Sequence, residues 1–218
     1  MNTYAEENYL KALFNLGNEK GEVTVQELSR RLDIKMPSVN SMVKKLAEKE
    51  MVHYESYKPV KLTEKGKTEA GLIIRKHRLT EMYLVEKMGF GWEQVHGIAE
   101  QVEHLQSPLF FDKIDELLGY PKIDPHGSPI PDKNGKIQWV HYQKLSDQKA
   151  GDKVKLTAVT HSSEDFLRFL NSRGLNLGLI IKVLSVEAFD GSMTVSYGKK
   201  TAETLTKTVT DKLLTEKA

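Results

Sequence analysis

The chain has 218 residues, no cysteine and a formal net charge of +2. This length allows one large domain or two to three small ones, and we expect three. The absence of cysteine excludes disulfides and thiolate zinc sites, so nitrogen and oxygen atoms must hold any bound metal. No apolar run reaches the roughly 18 residues of a membrane span, and the N-terminus lacks the layout of a signal peptide. We therefore expect a cytoplasmic protein without membrane partners.

Charge is distributed unevenly along the chain. Residues 28–67 hold ten lysines or arginines against five acidic residues, whereas residues 77–120 hold three against eight. A basic segment suits the phosphate backbone of a nucleic acid, and an acidic segment suits cations. The sequence therefore predicts two binding regions of opposite charge.

Two helices are predicted at the N-terminal end. Apolar residues recur at helical spacing over residues 4–16, and Gly17 is predicted to end this first helix. Thr24, followed three residues later by Glu27, is a capping box. It predicts a second helix over residues 24–33.

A third helix is predicted over residues 37–49, because Pro37 suits a first helical turn, where its missing N–H has no partner anyway. Val39, Val43 and Leu46 form its apolar stripe. The side chains outside this stripe are short hydrogen-bonding or cationic groups, which can contact bases and phosphates. The predicted DNA contacts are Lys35, Pro37, Ser38, Asn40, Ser41, Lys44 and Lys45, with Tyr57 and Lys58 in the following loop.

Two short β-type runs, Val52–Tyr54 and Val60–Leu62, follow the third helix. Three helices and a small hairpin predict a winged helix-turn-helix, with 24–33 as the supporting helix and 37–49 as the recognition helix. The alternative is a generic three-helix bundle whose third helix faces solvent. The hairpin and the local excess of positive charge favour DNA binding.

Histidines and carboxylates then recur at helical spacing. Thr63 is predicted to cap a long helix that runs towards Met88 and carries His77 and Glu81 four residues apart. A further helix over roughly 93–106 carries four more metal-competent side chains within an arc of about 100°. These are His96, Glu100, Glu103 and His104. Two such groups on paired helices could complete a coordination sphere, and the alternative is that they line solvated faces.

A short helix predicted over residues 108–118 is apolar on more than one side. Its apolar residues are Phe110, Phe111, Ile114, Leu117 and Leu118. Such a helix must bury both sides, either within its own chain or partly against a second subunit. The sequence leaves both possibilities open.

Residues 121–136 contain four prolines and two glycines, which predict a linker and a domain boundary near residue 140. Beyond it the pattern changes to β, with runs at 154–159, 179–186 and 193–197. A helix at 163–172 and an Asp190-Gly191 turn separate these runs. The pattern predicts a small SH3-like barrel.

Four stretches taken together resemble one known family. They are 75–81 (RKHRLTE), Pro37-Ser38-Val39, His96 with Glu100, Glu103 and His104, and 124–131 (DPHGSPIP). The family comprises the metal-dependent regulators typified by the diphtheria toxin repressor, with their manganese transport regulator branch. The resemblance spans essentially the whole chain and implies a mainly α fold with a small β domain. The implied order is a winged helix-turn-helix over 1–70, a helical metal-binding and dimerisation domain over 71–140, and an SH3-like, FeoA-type barrel over 141–218.

The resemblance also divides the candidate ligands between two metal sites. The implied ancillary site consists of His77, Glu81 and His96, completed from the C-terminal domain by Asp165 or by Glu164. The implied regulatory site consists of Glu100, Glu103 and His104, with Asn8 from the first helix. Lys11 stands where the manganese branch has a second acidic ligand.

The function implied by the resemblance is that of a metal-activated repressor. It would bind a palindromic DNA operator as a homodimer and control metal-ion homeostasis genes. Oxygen donors with one imidazole favour Mn²⁺ over Fe²⁺. Two alternatives stay open: a winged-helix regulator that senses an organic ligand without metal, and a metallohydrolase. No nucleophile or general base with a recognisable motif stands beside the ligands, so we predict no enzymatic activity.

Overall fold

The computed structural model describes residues 2–160 and 163–218. The chain forms two compact units. The first comprises the chain up to Thr80 together with Ala99–Tyr120 and Ile130–Gln138, and the second comprises Glu81–Ile98, Pro121–Pro129 and Trp139–Ala218. Within the described ranges, no helix combines the length and the apolar character that crossing a membrane requires.

The first unit begins with a winged helix-turn-helix, as predicted. Its elements are α1 (Tyr4–Lys20), α2 (Val25–Leu32), α3 (Met36–Glu48), β1 (Val52–His53), β2 (Lys61–Leu62) and the start of α4 (Glu64–Met88). The predicted stripe of α3 is confirmed, since Val39, Val43 and Leu46 are fully buried. They pack with Leu10 and Leu28 of the preceding helices in one core. Burial of these side chains fixes which face of α3 stays exposed.

Capping boxes begin the first two helices. Thr24 and Glu27 exchange side-chain and backbone hydrogen bonds at the start of α2, as predicted, and Thr3 and Glu6 do the same for α1. The predicted end of the first helix at Gly17 is wrong. The helix continues to Lys20 because a glycine inside a helix costs only about 1 kcal/mol, whereas Gly21 adopts a positive φ of 80° and ends it.

The hairpin is shorter than the predicted runs. β1 and β2 pair antiparallel through only two residues each, with Val52 opposite Leu62. Val60, predicted as part of the second strand, forms an isolated bridge with Val23 before α2 instead. The chain entering β2 is therefore joined to the segment just before the supporting helix, while Tyr57 at the wing tip is fully exposed.

The segment Ile130–Gln138 packs against α4 within the first unit. Arg75 of α4 donates hydrogen bonds to the Pro131 carbonyl at 2.7 Å and to the Asp115 carboxylate at 2.5 Å. Gly71 faces Gly135 so closely that a Cβ on Gly71 would lie 2.0 Å from the Gly135 carbonyl oxygen. The two backbones can approach this far because neither residue has a side chain.

Gly71→Ala is expected to lower the free energy of unfolding by about 1–3 kcal/mol, because the new methyl group meets backbone that must move. Thermal unfolding followed by circular dichroism measures this. Gly97→Ala is the control, since Gly97 is also helical but a Cβ there meets nothing within 4 Å. That change should be neutral or stabilise the chain by up to about 1 kcal/mol. Equal effects of both substitutions would contradict the backbone contact.

Helix α6 (Pro108–Leu117) buries one side and exposes the other. Phe111 and Ile114 are buried, whereas Phe110, Leu117 and Leu109 are exposed, Leu109 by 80%. The predicted apolar surface on more than one side is therefore only partly covered within one chain. An exposed apolar face of this kind is typical of a subunit interface.

The second unit contains a six-stranded antiparallel sheet in the order β3-β8-β4-β5-β6-β7. The strands are β3 (Gln143–Lys144), β4 (Lys153–Val159), β5 (Ile180–Val186), β6 (Met193–Tyr197), β7 (Lys200–Leu205) and β8 (Leu213–Lys217), with α7 (Glu164–Arg173) and the short α8 (Lys207–Thr210) between strands. The three predicted strands and the predicted helix are present. β3, β7 and β8 were not predicted, because their alternation of apolar residues is weak.

Candidate metal centres

Helix α5 (His96–Val102) is much shorter than the predicted helix over 93–106. Glu103 and His104 lie in the turn that follows, although the Glu103 N–H still bonds to the Ala99 carbonyl at 2.9 Å. The predicted single helical face for all four metal-competent side chains is therefore wrong. The chain leaves the helical conformation before Pro108, because a proline disfavours helical backbone in the residue before it, and Glu103 and His104 lie in the turn and not in the helix.

A buried polar cluster occupies the first unit, and we call it the first cluster. It consists of Glu7, Lys11, His77, Glu103 and His104. The Glu103 carboxylate is completely buried, accepts hydrogen bonds from Lys11 Nζ at 2.7 and 2.9 Å, and lies 2.5 Å from His77 Nδ1. Lys11 belongs to α1 and Glu103 to the turn after α5, so this cluster joins the first helix of the winged helix-turn-helix to the acidic segment.

The charge state of Glu103 follows from these contacts. Burial would raise the pKa of its carboxyl group, but the hydrogen bond with His77 and the charge of Lys11 lower the pKa below its usual value. Glu103 is thus ionised although it is buried. A buried carboxylate with a lowered pKa can serve as an oxygen ligand at neutral pH.

His104 has the arrangement of a metal-ligating imidazole. Its Nδ1 lies 2.6 Å from the Glu7 carboxylate, which in turn accepts a hydrogen bond from Gln106 at 2.8 Å. Its buried Nε2 has no hydrogen-bond partner within residues 2–160 and 163–218, and it lies 3.5 Å from Glu103 Oε1. Carboxylates commonly orient ligating histidines in this way, leaving the other ring nitrogen for the metal. The Glu103 carboxylate and His104 Nε2 therefore offer a divalent cation one oxygen and one nitrogen donor.

The sequence predicted no role for Glu7 in this site. Asn8, the next residue of α1, was predicted as a ligand instead. Asn8 is half-buried. Glu100, the other predicted ligand of this site, has a half-exposed side chain whose Oε1 lies 3.5 Å from Lys11 Nζ. Ligation by Asn8 and Glu100 stays a prediction.

A second cluster lies in the second unit, where Glu81, Asp124 and His126 are all buried. One ligand atom from each lies within 4.8 Å of the others. His126 Nε2 lies 2.8 Å from the Trp92 carbonyl, to which it can donate, while Nδ1 is 3.5 Å from Glu81 Oε2. Asp124 Oδ1 accepts hydrogen bonds from the backbone N–H groups of His126 and Ser128, both at 2.9 Å. This set can hold a metal through one nitrogen and two carboxylates.

Burial alone would lower the pKa of His126, but its contact with Glu81 and the nearby charge of Asp124 raise the pKa above the usual value. The site thus attracts positive charge, whether as a proton or as a metal ion. Asp124 and His126 were not predicted as ligands. The sequence feature that could have indicated them is an acidic residue and a histidine two positions apart in a proline-rich segment.

Of the predicted ancillary ligands, His77 belongs to the first unit, whereas Glu81 and His96 belong to the second. His96 Nδ1 lies 3.2 Å from Glu81 Oε1 with its side chain half-exposed, and His77 contacts Glu103 in the first cluster. Glu164 and Asp165 are exposed in the first turn of α7, where Glu164 binds Arg168 at 2.6 Å. Joint ligation of one metal by His77, Glu81 and His96, together with Asp165 or Glu164, stays a prediction.

The predicted DNA contacts are mostly exposed. The exposed ones are Lys35, Pro37, Ser38, Ser41, Lys44, Lys45, Tyr57 and Lys58. Asn40 is half-buried, and its Oδ1 lies 3.5 Å from the Tyr54 hydroxyl, while Lys58 forms an ion pair with Glu55 at 2.8 Å. Lys45 is also paired, at 3.2 Å, with the buried Glu6 of α1. The outward face of α3 therefore presents polar and cationic side chains, as predicted.

Three family models match the chain. Residues 1–60 match the model for the N-terminal DNA binding domain of iron dependent repressors. Residues 63–132 match the iron dependent repressor metal binding and dimerisation domain, and residues 143–217 match the FeoA domain.

Relatives of two kinds are similar in sequence. The iron-dependent repressor IdeR of Mycobacterium tuberculosis is 33% identical over 125 residues, which are 57% of this chain and 54% of IdeR. The HTH-type transcriptional regulator MntR of Oceanobacillus iheyensis is 34% identical over 124 residues, which are 57% of this chain and 84% of MntR. This chain thus spans about half the length of the IdeR proteins it matches.

Solved structures are similar over nearly the whole chain. A manganese-dependent transcriptional repressor in complex with manganese has a TM-score of 0.87 and 27% identity, and the match covers 97% of this chain and 99% of that one. ScaR with bound Zn²⁺ has a TM-score of 0.80 and 31% identity, with 98% and 99% covered.

Proposed function

The chain belongs to the iron-dependent repressor family, and we propose that it is a metal-activated repressor that binds DNA and controls metal-ion homeostasis genes. Members of the family are DNA-binding repressors and not enzymes. One observation carries the proposal for this chain: the buried Nε2 of His104 has no hydrogen-bond partner among the described residues and lies 3.5 Å from the buried Glu103 carboxylate. Nδ1 of the same ring contacts Glu7 of α1, the helix that begins the winged helix-turn-helix. We propose the domain boundaries 1–70, 71–140 and 141–218 and a cytoplasmic location.

We propose that His104 and Glu103 hold a divalent metal in the first cluster, with Asn8 and Glu100 as further oxygen donors. When bound, the metal supplies positive charge between α1 and the turn after α5. Glu7 keeps the His104 ring oriented through Nδ1, and the buried surroundings exclude water from the Glu103 carboxylate. These contacts favour one arrangement of α1, so the affinity for DNA depends on how well that arrangement is held.

Lys11 limits how many metal ions the first cluster accepts. Its ammonium group lies 2.7 Å from Glu103 and 3.5 Å from Glu100, where it already balances the charge of both carboxylates. A second divalent cation would meet this positive charge at short range. We therefore propose one metal ion in this cluster, and a second in the cluster of Glu81, Asp124 and His126.

We propose Mn²⁺ as the metal, with Fe²⁺ as the alternative. Each cluster offers carboxylate oxygens and few imidazoles, a hard donor set that suits Mn²⁺. Manganese is also named for the similar repressor of known structure, whereas iron is named for IdeR. Metal content after purification from cells grown with both metals would decide between them.

We propose that the chain acts as a homodimer on a palindromic operator. The exposed apolar residues Leu109, Phe110 and Leu117 on α6 supply a surface for the second subunit. Two recognition helices related by a two-fold axis would read two half-sites in successive major grooves. This geometry requires an operator with two-fold symmetry.

The proposal is tested by comparing chelated and Mn²⁺-loaded protein on a palindromic operator at fixed salt. We expect the loaded protein to bind much more tightly. Equal affinity in both states would eliminate the metal switch and favour the other candidate, a winged-helix regulator that senses an organic ligand.

Lys44→Ala is expected to weaken binding to all DNA sequences and to reduce the slope of log affinity against log salt by about 1, because the exposed Lys44 is proposed to contact a phosphate. Fluorescence anisotropy on specific and nonspecific duplexes at several salt concentrations measures both effects. Lys113→Ala is the control. It also removes one positive charge, but from α6, which is not proposed to contact DNA. An unchanged salt slope for Lys44→Ala would show that the assignment is wrong.

A further inference from the structure

Glu6 is a completely buried carboxylate in the first turn of α1. Its Oε1 lies 2.7 Å from Lys49 Nζ and 3.2 Å from Lys45 Nζ, and its Oε2 accepts a hydrogen bond from Lys49 at 2.8 Å. Oε2 also accepts from the backbone N–H of Thr3 at 2.8 Å. Burial alone would raise the pKa of Glu6, but the bonds from Lys49, Thr3 and Lys45 lower it to about 2.

Both lysines belong to the end of the recognition helix. Lys45 lies in the last turn of α3, and Lys49 is the residue that ends it. Their side chains are only partly exposed, by 50% for Lys45 and 34% for Lys49. Because the Glu6 carboxylate is completely buried, loss of its lysine partners would leave a buried charge uncompensated, so these ion pairs constrain the position of one helix relative to the other.

Glu7, the residue after Glu6, belongs to the first cluster. Glu7 orients His104, at 2.6 Å from its Nδ1, while Glu6 holds α3. Adjacent residues of a helix project about 100° apart, so one turn of α1 contacts both partners on different sides. The capping box of Thr3 and Glu6 keeps this turn helical. If a change in the cluster moves Glu7, Glu6 must move with it, because both residues lie in the same turn of α1.

We propose that Glu6 is a positioning residue that transmits the state of the first cluster to the recognition helix through Lys45 and Lys49. This inference rests on the proposed function. It assigns the coupling to one carboxylate that contacts neither DNA nor the cluster. Its two lysine partners make the coupling sensitive to the charge of Glu6 and not only to its shape.

Glu6→Gln tests the proposal, because glutamine keeps the size of the side chain and can still form the capping box, but lacks the negative charge. DNA affinity is measured for the full chain with Mn²⁺ and with chelator. We expect the ratio of the two affinities to fall about tenfold relative to the wild-type chain. By linkage, the gain in Mn²⁺ affinity on adding DNA should fall by the same factor, while Mn²⁺ affinity without DNA stays unchanged.

Glu27→Gln is the matched control, since it makes the same change in the capping box of α2. Its affinity ratio should equal that of the wild-type chain. Lys49→Met removes the shorter of the two ion pairs of Glu6 from the lysine side and should also lower the ratio. It replaces Glu6→Gln if that variant does not fold.

Three outcomes are distinguishable. A lowered ratio for Glu6→Gln and Lys49→Met, with a normal ratio for Glu27→Gln, supports the proposal. Equal loss of affinity with and without Mn²⁺ overturns it, since Glu6 would then be a purely structural residue. If the wild-type chain itself shows a ratio near one, the proposed function fails, and the coupling role of Glu6 falls with it.

Discussion

Glu103→Gln is expected to abolish metal-activated DNA binding, even at Mn²⁺ concentrations that saturate the wild-type chain. Glutamine offers a single neutral oxygen beside His104 Nε2, where the carboxylate offered two charged ones. The substitution also removes the buried anion that accepts hydrogen bonds from Lys11 and contacts His77. Breaking a buried pair from one side costs about 3–5 kcal/mol, so we expect lower stability as well. Operator binding followed by anisotropy as Mn²⁺ is titrated measures the first effect.

The control for Glu103→Gln is Glu116→Gln on α6. Glu116 is also a carboxylate paired with a lysine, Lys113 at 3.0 Å, but it is exposed. Glu116→Gln should leave the Mn²⁺ response unchanged. It should change the free energy of unfolding by no more than about 0.5 kcal/mol. Circular dichroism of the chelated proteins confirms that each variant is folded. A normal Mn²⁺ midpoint for folded Glu103→Gln would contradict its assignment as a ligand.

His126→Ala is expected to reduce metal binding by one ion per protomer while DNA binding remains metal-activated. The imidazole supplies the nitrogen donor of the buried cluster that it forms with Glu81 and Asp124. A second effect is the loss of the bond to the Trp92 carbonyl, which should loosen the turn around Asp124. Calorimetric titration with Mn²⁺ gives the stoichiometry, and anisotropy gives the DNA response.

His141→Ala is the control for His126→Ala, because His141 is an exposed histidine of the same unit. It should leave both stoichiometry and DNA binding unchanged. If His126→Ala loses the DNA response while Glu103→Gln keeps it, the roles of the two clusters are the reverse of those proposed.

Several features of the fold were predictable because they depend on neighbours in sequence. The capping box of Thr24 and Glu27 begins α2, and the spacing of Val39, Val43 and Leu46 gives α3 its buried face. Gly17 shows the limit of such reasoning. Whether a glycine ends a helix depends on the residues that follow, and here Gly21 ends α1.

The winged helix, the change from a helical to a β pattern near residue 140 and the donor types available to a metal were predictable from the sequence, because they follow from composition and periodicity. Which of these donor side chains contact one another depends on the tertiary structure. His104 contacts Glu7 across 97 residues and His77 contacts Glu103 across 26. His126 reaches Glu81 only because a turn after the helices brings Asp124 and His126 back to α4. Contacts between residues so far apart in sequence depend on how whole helices and turns pack, so local sequence spacing does not predict them.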